Sequence, residues 1–129
     1  MSADFRLEVV QVPVADVDRA KAFYVDQAGF NDDHDTQISD TMRVVQLTPR
    51  ASACSIVIGT GLTSMAPGSI EGLQLVTTDM ADARTELVER GVDVSEIVDM
   101  GRPGGETTFK FANFKDPDGN SWVLQEIPA

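Results

Sequence analysis

Leu7-Glu8-Val9-Val10-Gln11-Val12-Pro13-Val14-Ala15-Asp16-Val17-Asp18-Arg19-Ala20 lies without a gap on Ile70-Glu71-Gly72-Leu73-Gln74-Leu75-Val76-Thr77-Thr78-Asp79-Met80-Ala81-Asp82-Ala83, 63 residues later. Glu8 meets Glu71, Gln11 meets Gln74, Asp16 meets Asp79 and Ala20 meets Ala83; further on, Lys21 meets Arg84 and Val25 meets Val88. Matches at one offset, within one pattern, mark an internal repeat. In each copy the pattern is a strand followed by a helix. Val10, Val12 and Val14 alternate with Gln11 and Pro13, the period of a half-buried strand. Asp16 and Asp79 stand where a helix N-cap belongs, since a carboxylate there accepts an otherwise unpaired N–H of the first turn. Val17, Ala20, Phe23, Tyr24 and Ala28 follow at helical spacing, as do Met80, Ala83 and Leu87. Gly29 and Gly91 close the two helices.

Short strands are expected after each helix: 29–32, 41–48 and 53–58 in the first half, 93–99, 107–114 and 121–127 in the second. Asp116-Pro117-Asp118-Gly119-Asn120 has the chemistry of a tight turn between the last two, and residues 61–69 form a Gly-, Ser-, Thr- and Pro-rich linker. The chain therefore reads as an α+β domain over residues 1–129: two βαβββ modules, about 5–60 and 70–128.

Length and charge agree with one compact domain. The chain has 129 residues, 42% of them apolar, with 10 Lys+Arg against 21 Asp+Glu, a net charge of −11. That balance provides no basic face for nucleic acid and disfavours an anionic membrane. No stretch approaches the roughly 18 apolar residues that a membrane span needs, and the N-terminus lacks the pattern of a signal peptide. The expectation is a cytoplasmic protein. The single cysteine, Cys54, permits no intramolecular disulfide and is expected as a small core residue.

Val12-Pro13-Val14-Ala15-Asp16-Val17-Asp18-Arg19-Ala20-Lys21-Ala22-Phe23-Tyr24, with Gly29-Phe30 after it, resembles the opening of the vicinal oxygen chelate superfamily, which includes glyoxalase I, bleomycin-resistance proteins and extradiol dioxygenases. Phe114-Lys115-Asp116-Pro117-Asp118-Gly119-Asn120-Ser121-Trp122 resembles its closing hairpin. The resemblance covers residues 6–127 or so. It implies paired modules whose sheets curl into a cup with the helices outside, and a homodimer built by pairing or exchanging modules. In metal-using members the cup holds a divalent ion on four His, Glu or Gln side chains. Carried over one at a time, those positions fall on Val9, Gly72, Val123 and, with a register open by one or two residues, Ile56. None offers a ligating side chain, so the expectation is no metal and no other cofactor. Strand parity turns Glu8, Glu71 and Glu126 away from the cup. His34, the only histidine, is expected in a polar turn, as a solvated residue or as an adventitious metal or rim contact using Asp33 and Asp35.

The same parity puts Gln11 and Gln74 on the cup face, two residues beyond the vacated positions, and Gln125 two beyond Val123. Gln46 is a fourth candidate. A buried carboxamide needs partners. The glutamines either satisfy one another and water, or orient an uncharged or zwitterionic ligand. Arg43 could meet a carboxylate in the cup, or lie on the surface. Met42, Phe109, Phe111 and Trp122 could form an aromatic wall, although alternation turns Trp122 and Leu124 to the helix side. Residues 101–106, Gly101-Arg102-Pro103-Gly104-Gly105-Glu106, suit a mobile flap. The expected partner is a small-molecule ligand. Three functions remain open: metal-free binding as in bleomycin-resistance proteins, where the negative charge favours cations; a metal-dependent lyase, isomerase or dioxygenase; and a metal-independent enzyme.

Overall fold

The computed structural model describes residues 3–100 and 109–127. The expected flap, residues 101–106, lies outside them. Strands β1 (Val9–Gln11), β2 (Asn31–Ser39), β3 (Met42–Thr48) and β4 (Ser55–Thr60) form one sheet in the order β1-β4-β3-β2. Strands β5 (Leu73–Thr77), β6 (Val98–Asp99), β7 (Lys110–Lys115) and β8 (Ser121–Glu126) form a second in the order β5-β8-β7-β6. In both, the first strand runs parallel to the last and the remaining neighbours are antiparallel. The fold is the α+β tandem of βαβββ modules that the repeat implied.

The helices form for the reasons that the caps suggest. Helix α1 (Val17–Ala22) starts on Asp16, whose Oδ1 accepts the Arg19 N–H. Helix α2 (Met80–Glu89) starts on Asp79, whose Oδ1 accepts the Asp82 N–H. Beyond Ala22 the first helix widens into a π-helical turn, Phe23–Gln27, and Ala28 N–H reaches back to Phe23 O. Phe23 and Tyr24 are both buried, their rings edge to face at 5.2 Å. Gly29 and Gly91 then reverse the chain at φ +78° and +89°, a region that glycine enters without steric penalty.

One core serves both sheets. Val12, Val45, Leu47, Ile56 and Ile58 come from the first, Ala112, Phe114, Trp122 and Leu124 from the second, and Val17, Ala20, Phe23, Tyr24, Met80 and Leu87 from the helices. At its centre Tyr24 OH donates to Asp116 Oδ2 (2.7 Å) and accepts from Trp122 Nε1 (2.9 Å). Burial, then the Asp116 carboxylate, push the Tyr24 phenol well above its ordinary range. Asp116 Oδ1 accepts from the N–H groups of Asp118, Gly119 and Asn120, which fixes the β7–β8 turn. Asn120 Nδ2 donates to Asp116 Oδ2 and to Pro13 O, and Asn120 Oδ1 accepts from Ile70 N–H. The closing hairpin is thus bonded to the start of each module. Buried polar groups are tolerated only when partnered in this way.

Three local expectations need correction. Residues 31–35 are not a turn: they begin the nine-residue strand β2, where His34 pairs with Gln46. Residues 93–97 are irregular, leaving only Val98–Asp99 as β6. Cys54 stands just before β4 and is half-buried.

Candidate functional site: the open faces of the two sheets

Each sheet gives one face to the core; the other is open at Val9 and Gln11 in the first sheet, where Ser55 and Val57 of β4 are nonetheless covered, and at Val76 and Val98 in the second. Register decides which residues share a face. In the first sheet Val9 pairs with Ser55, Gln11 with Val57, and Val57 with Gln46. These five therefore point the same way, opposite to Val10, Ile56 and Leu47. Ile56 is 4% exposed in the core, so the expectation that it lines the cup is corrected. Ser55 and Val57 hold that side of β4. Sequence could not settle the point, because Ser55–Ile58 are all buried and show no alternation.

A polar group is built on this face. The register of β2 slips between Asp32 and His34, and such bulges re-aim a side chain. The bulged Asp33 brings Oδ2 to Gln46 Nε2 (3.2 Å) and to Thr48 Oγ1. With its proton committed to Asp33, Thr48 Oγ1 accepts from Ser55 Oγ at 2.6 Å, and Gln46 Nε2 also reaches Ser55 Oγ at 3.5 Å. Thr48 and Ser55 were missed as site residues, and Asp33, expected only beside His34 at the rim, serves Gln46 and Thr48 instead. The only sequence signal was that Ser55 and Thr48 flank Gln46 in a hairpin. Gln11 is exposed on the same face.

In the second sheet Gln74 pairs with Val123, Val76 with Gln125, and Gln125 with Phe111. All five share the open face. Gln74 Nε2 donates to Gln125 Oε1 at 2.8 Å. The four glutamines are therefore not one cluster: Gln74 and Gln125 are a pair, and Gln46 belongs to the group on the other sheet. Phe111 is half-buried, whereas Trp122 and Leu124 lie in the core at 3% exposure. The second-sheet face is open, with Val76 58% and Val98 52% exposed.

Arg43 faces the other way, so of its two expected places the cup is ruled out. Its Nε and Nη2 fork onto Asp35 (2.9 and 2.7 Å), and Nη1 reaches Asp18 on α1 (2.9 Å). Lys21 adds contacts to Asp35 (3.0 Å) and Asp32 (3.3 Å). The Arg43 guanidinium, and Lys21 after it, hold the Asp35 carboxyl far below the usual carboxylate range. This network ties the acidic strand β2 to α1. Glu126 is likewise employed on the helix side, where Oε1 accepts the Met80 N–H that starts α2.

The architecture and the motifs can now be set beside known proteins. A model of the Glyoxalase/Bleomycin resistance protein/Dioxygenase superfamily matches residues 6–124. The chain belongs to that superfamily. Among solved structures, TnmS3, an antibiotic binding protein from Streptomyces sp. CB03234, is 33% identical over the whole of both chains, with a TM-score of 0.80. A glyoxalase/bleomycin resistance protein from the same Streptomyces is 34% identical over 94% of this chain and 100% of its own, TM-score 0.75. A superfamily member from Sphaerobacter thermophilus DSM 20745 is 29% identical over 96% of this chain and 98% of its own, TM-score 0.79. No curated protein matches.

Superfamily members that use a metal need four donor side chains in the cup. Val9 and Val123 are aliphatic, and Ser55, set beside Val9, has a hydroxyl engaged by Thr48 and Gln46. Gly72 has φ +88°, a conformation strained for any residue with a Cβ. A ligating histidine would not be accepted there without moving the backbone. Among the described residues no three His, Cys, Asp or Glu converge. These positions do not fit the ion. No helix among the described residues is long and apolar enough to cross a membrane.

Proposed function

We propose that this superfamily member is a metal-free binding protein. In this reading it is a cytoplasmic homodimer that sequesters or senses a small organic molecule between open sheet faces. The observation that carries the reading is the composition of those faces. Val9, Val123, Gly72 and the engaged Ser55 stand where the resemblance puts metal donors, and amides stand beside them: Gln11 and Gln46 on one face, Gln74 and Gln125 on the other. Small-molecule sites are apolar with a few placed polar groups. Likeness to an antibiotic binding protein over the full length supports the same reading. Phe111 would supply a ring against the ligand.

The charge of the ligand follows from Asp33. Its carboxylate faces Gln46 and Thr48 with no basic side chain paired to it among the described residues. A ligand with a positive or strongly donating group fits, and the net charge of −11 raises the local concentration of cations. A second copy follows from exposure. Val9, Val76 and Val98 are each more than half exposed on faces that the chain's own core does not use, which supports a covering partner there.

The test uses untagged protein. Elemental analysis should find far less than one metal per chain, and light scattering a dimer. A panel of aromatic antibiotics, some carrying an amine, should yield at least one saturable ligand that is recovered unchanged. Its affinity should fall on Asp33→Asn and on Gln74→Leu. A full equivalent of Ni, Zn, Fe or Mn per chain, or conversion of the ligand, would overturn the reading.

A further inference from the structure

A second concavity lies away from the Gln46 group. It runs along the free edge of β5, where Gln74 and Val76 of the second sheet's open face also line it, and onto α2, with a volume of about 430 Å³. Leu75, Ala83, Leu87 and Leu124 make an apolar floor, and Phe30 closes one end. Arg50, Glu86 and Gly29 line its rim, and Arg90 stands next to it, against Glu86 and Gly29. Arg50, on the β3–β4 loop, and Arg90, at the end of α2, both point at one acid. Glu86 Oε1 accepts from Arg50 Nη2 at 2.8 Å and from Arg90 Nη2 at 3.2 Å. Both guanidinium groups hang over Gly29: a Cβ built there would stand 3.0 Å from Arg90 Nη1 and 4.0 Å from Arg50 Cζ.

Two guanidiniums sharing one carboxylate leave a local charge of +1. Each has five N–H donors in a rigid fork, and a single carboxylate oxygen takes one from each. We propose that this groove is a second binding site, specific for an amphipathic carboxylate: an apolar tail on the Leu75–Leu87–Leu124 floor and an acid head on Arg50 and Arg90. The head displaces Glu86 from Arg50 and forms the forked pair that Glu86 makes with one oxygen only. The negative field of the whole chain opposes such a ligand at long range. At physiological salt it is screened over about 8 Å, so the two adjacent guanidiniums decide the contact. The volume suits a small aryl or medium-chain alkyl acid.

The groove shares Gln74 with the second sheet's open face, so the sign of the charge preference is what separates it from the Asp33–Gln46 group of the first sheet, where Asp33 favours the opposite. The probe is 8-anilinonaphthalene-1-sulfonate, an apolar ring system with one anionic head, followed by fluorescence on the intact protein. One saturable site per chain is expected, competed by octanoate and not by octylammonium. Arg50→Gln combined with Arg90→Gln, both partly exposed, should weaken it at least about tenfold, since charge-assisted hydrogen bonds are the strong ones. Glu86→Gln removes the competing carboxylate and should tighten it several-fold, an effect that a merely structural role for Glu86 would not produce. Gln46→Leu, on the open face of the first sheet, should leave it unchanged. Equal displacement by octylammonium, an unaltered affinity in the double arginine variant, or loss of binding in Gln46→Leu instead would overturn the proposal.

Discussion

Removing one oxygen atom from the core should cost this protein a large part of its stability. In Tyr24→Phe the ring, fully buried, keeps its packing against Phe23, Phe30 and Trp122. What changes is the hydroxyl. The Trp122 indole N–H loses its acceptor at 2.9 Å, and Asp116 Oδ2 loses one of two donors, keeping Asn120 Nδ2 at 2.8 Å. A buried donor left unpaired costs about 1–3 kcal/mol, and a hydrogen bond to a carboxylate contributes about 1.5–3 kcal/mol. The two effects overlap, so a loss of about 2–4 kcal/mol is expected, against a total of roughly 5–15 kcal/mol for a domain. That corresponds to a fall of roughly 10 °C in Tm. Urea unfolding followed by circular dichroism measures it. A double-mutant cycle with Trp122→Phe should give a coupling above about 0.5 kcal/mol, because the two groups share a bond. A loss below about 1 kcal/mol with no coupling would show that ring packing alone holds the core, and the account of the polar network would fail.

Acid should loosen β2 before the rest. Asp35 has its carboxyl depressed by Arg43 and Lys21, so its contribution is complete above the ordinary carboxylate pKa of about 3.9 and is lost as pH falls through the lower folded value. The urea midpoint of the native protein should therefore drop below about pH 4, and Asp35→Asn should flatten that limb. Asp16→Ala and Asp79→Ala each remove a cap and should each cost about 1 kcal/mol in equilibrium unfolding; a neutral result at either would refute the capping assignment. Gly68→Ala should destabilise more than either, since φ is +80° and the new Cβ would stand 2.1 Å from Asp118 O. A stable Gly68→Ala protein would contradict the close approach of linker and closing hairpin.

The fold was legible wherever a side chain has one job. Asp16 and Asp79 cap, Gly29 and Gly91 reverse the chain, and Trp122 alternates into the core, each for a local reason visible in the sequence. The first half of β2 was not legible. Asn31-Asp32-Asp33-His34-Asp35 has both faces exposed, so no period-2 pattern marks it. Its strand form comes from pairing with β3 and from Lys21 and Arg43 gripping Asp32 and Asp35. The site was legible in part. Gln74 and Gln125 do meet, because neighbouring parallel strands carry them on one face. The sequence leaves Arg43 between cup and surface and Ile56 with a register open by one or two residues; only the β3–β4 and β1–β4 pairings set which face each takes. The sequence marks Asp33 only beside His34; that it bonds Gln46 and Thr48 was out of reach, since a bulge leaves no mark in a polar run.

Tyr24 finds its partner 92 residues further along the chain. During translation, the first half therefore leaves the ribosome with its central hydroxyl unanswered and Phe23 and Phe30 short of the aromatic neighbours that Phe114 and Trp122 supply. Only β7 and β8, which follow in the chain, complete these contacts of the first module. A nascent chain arrested before Asp116 should accordingly be sticky and protease-sensitive, and maturation should finish in a single late step.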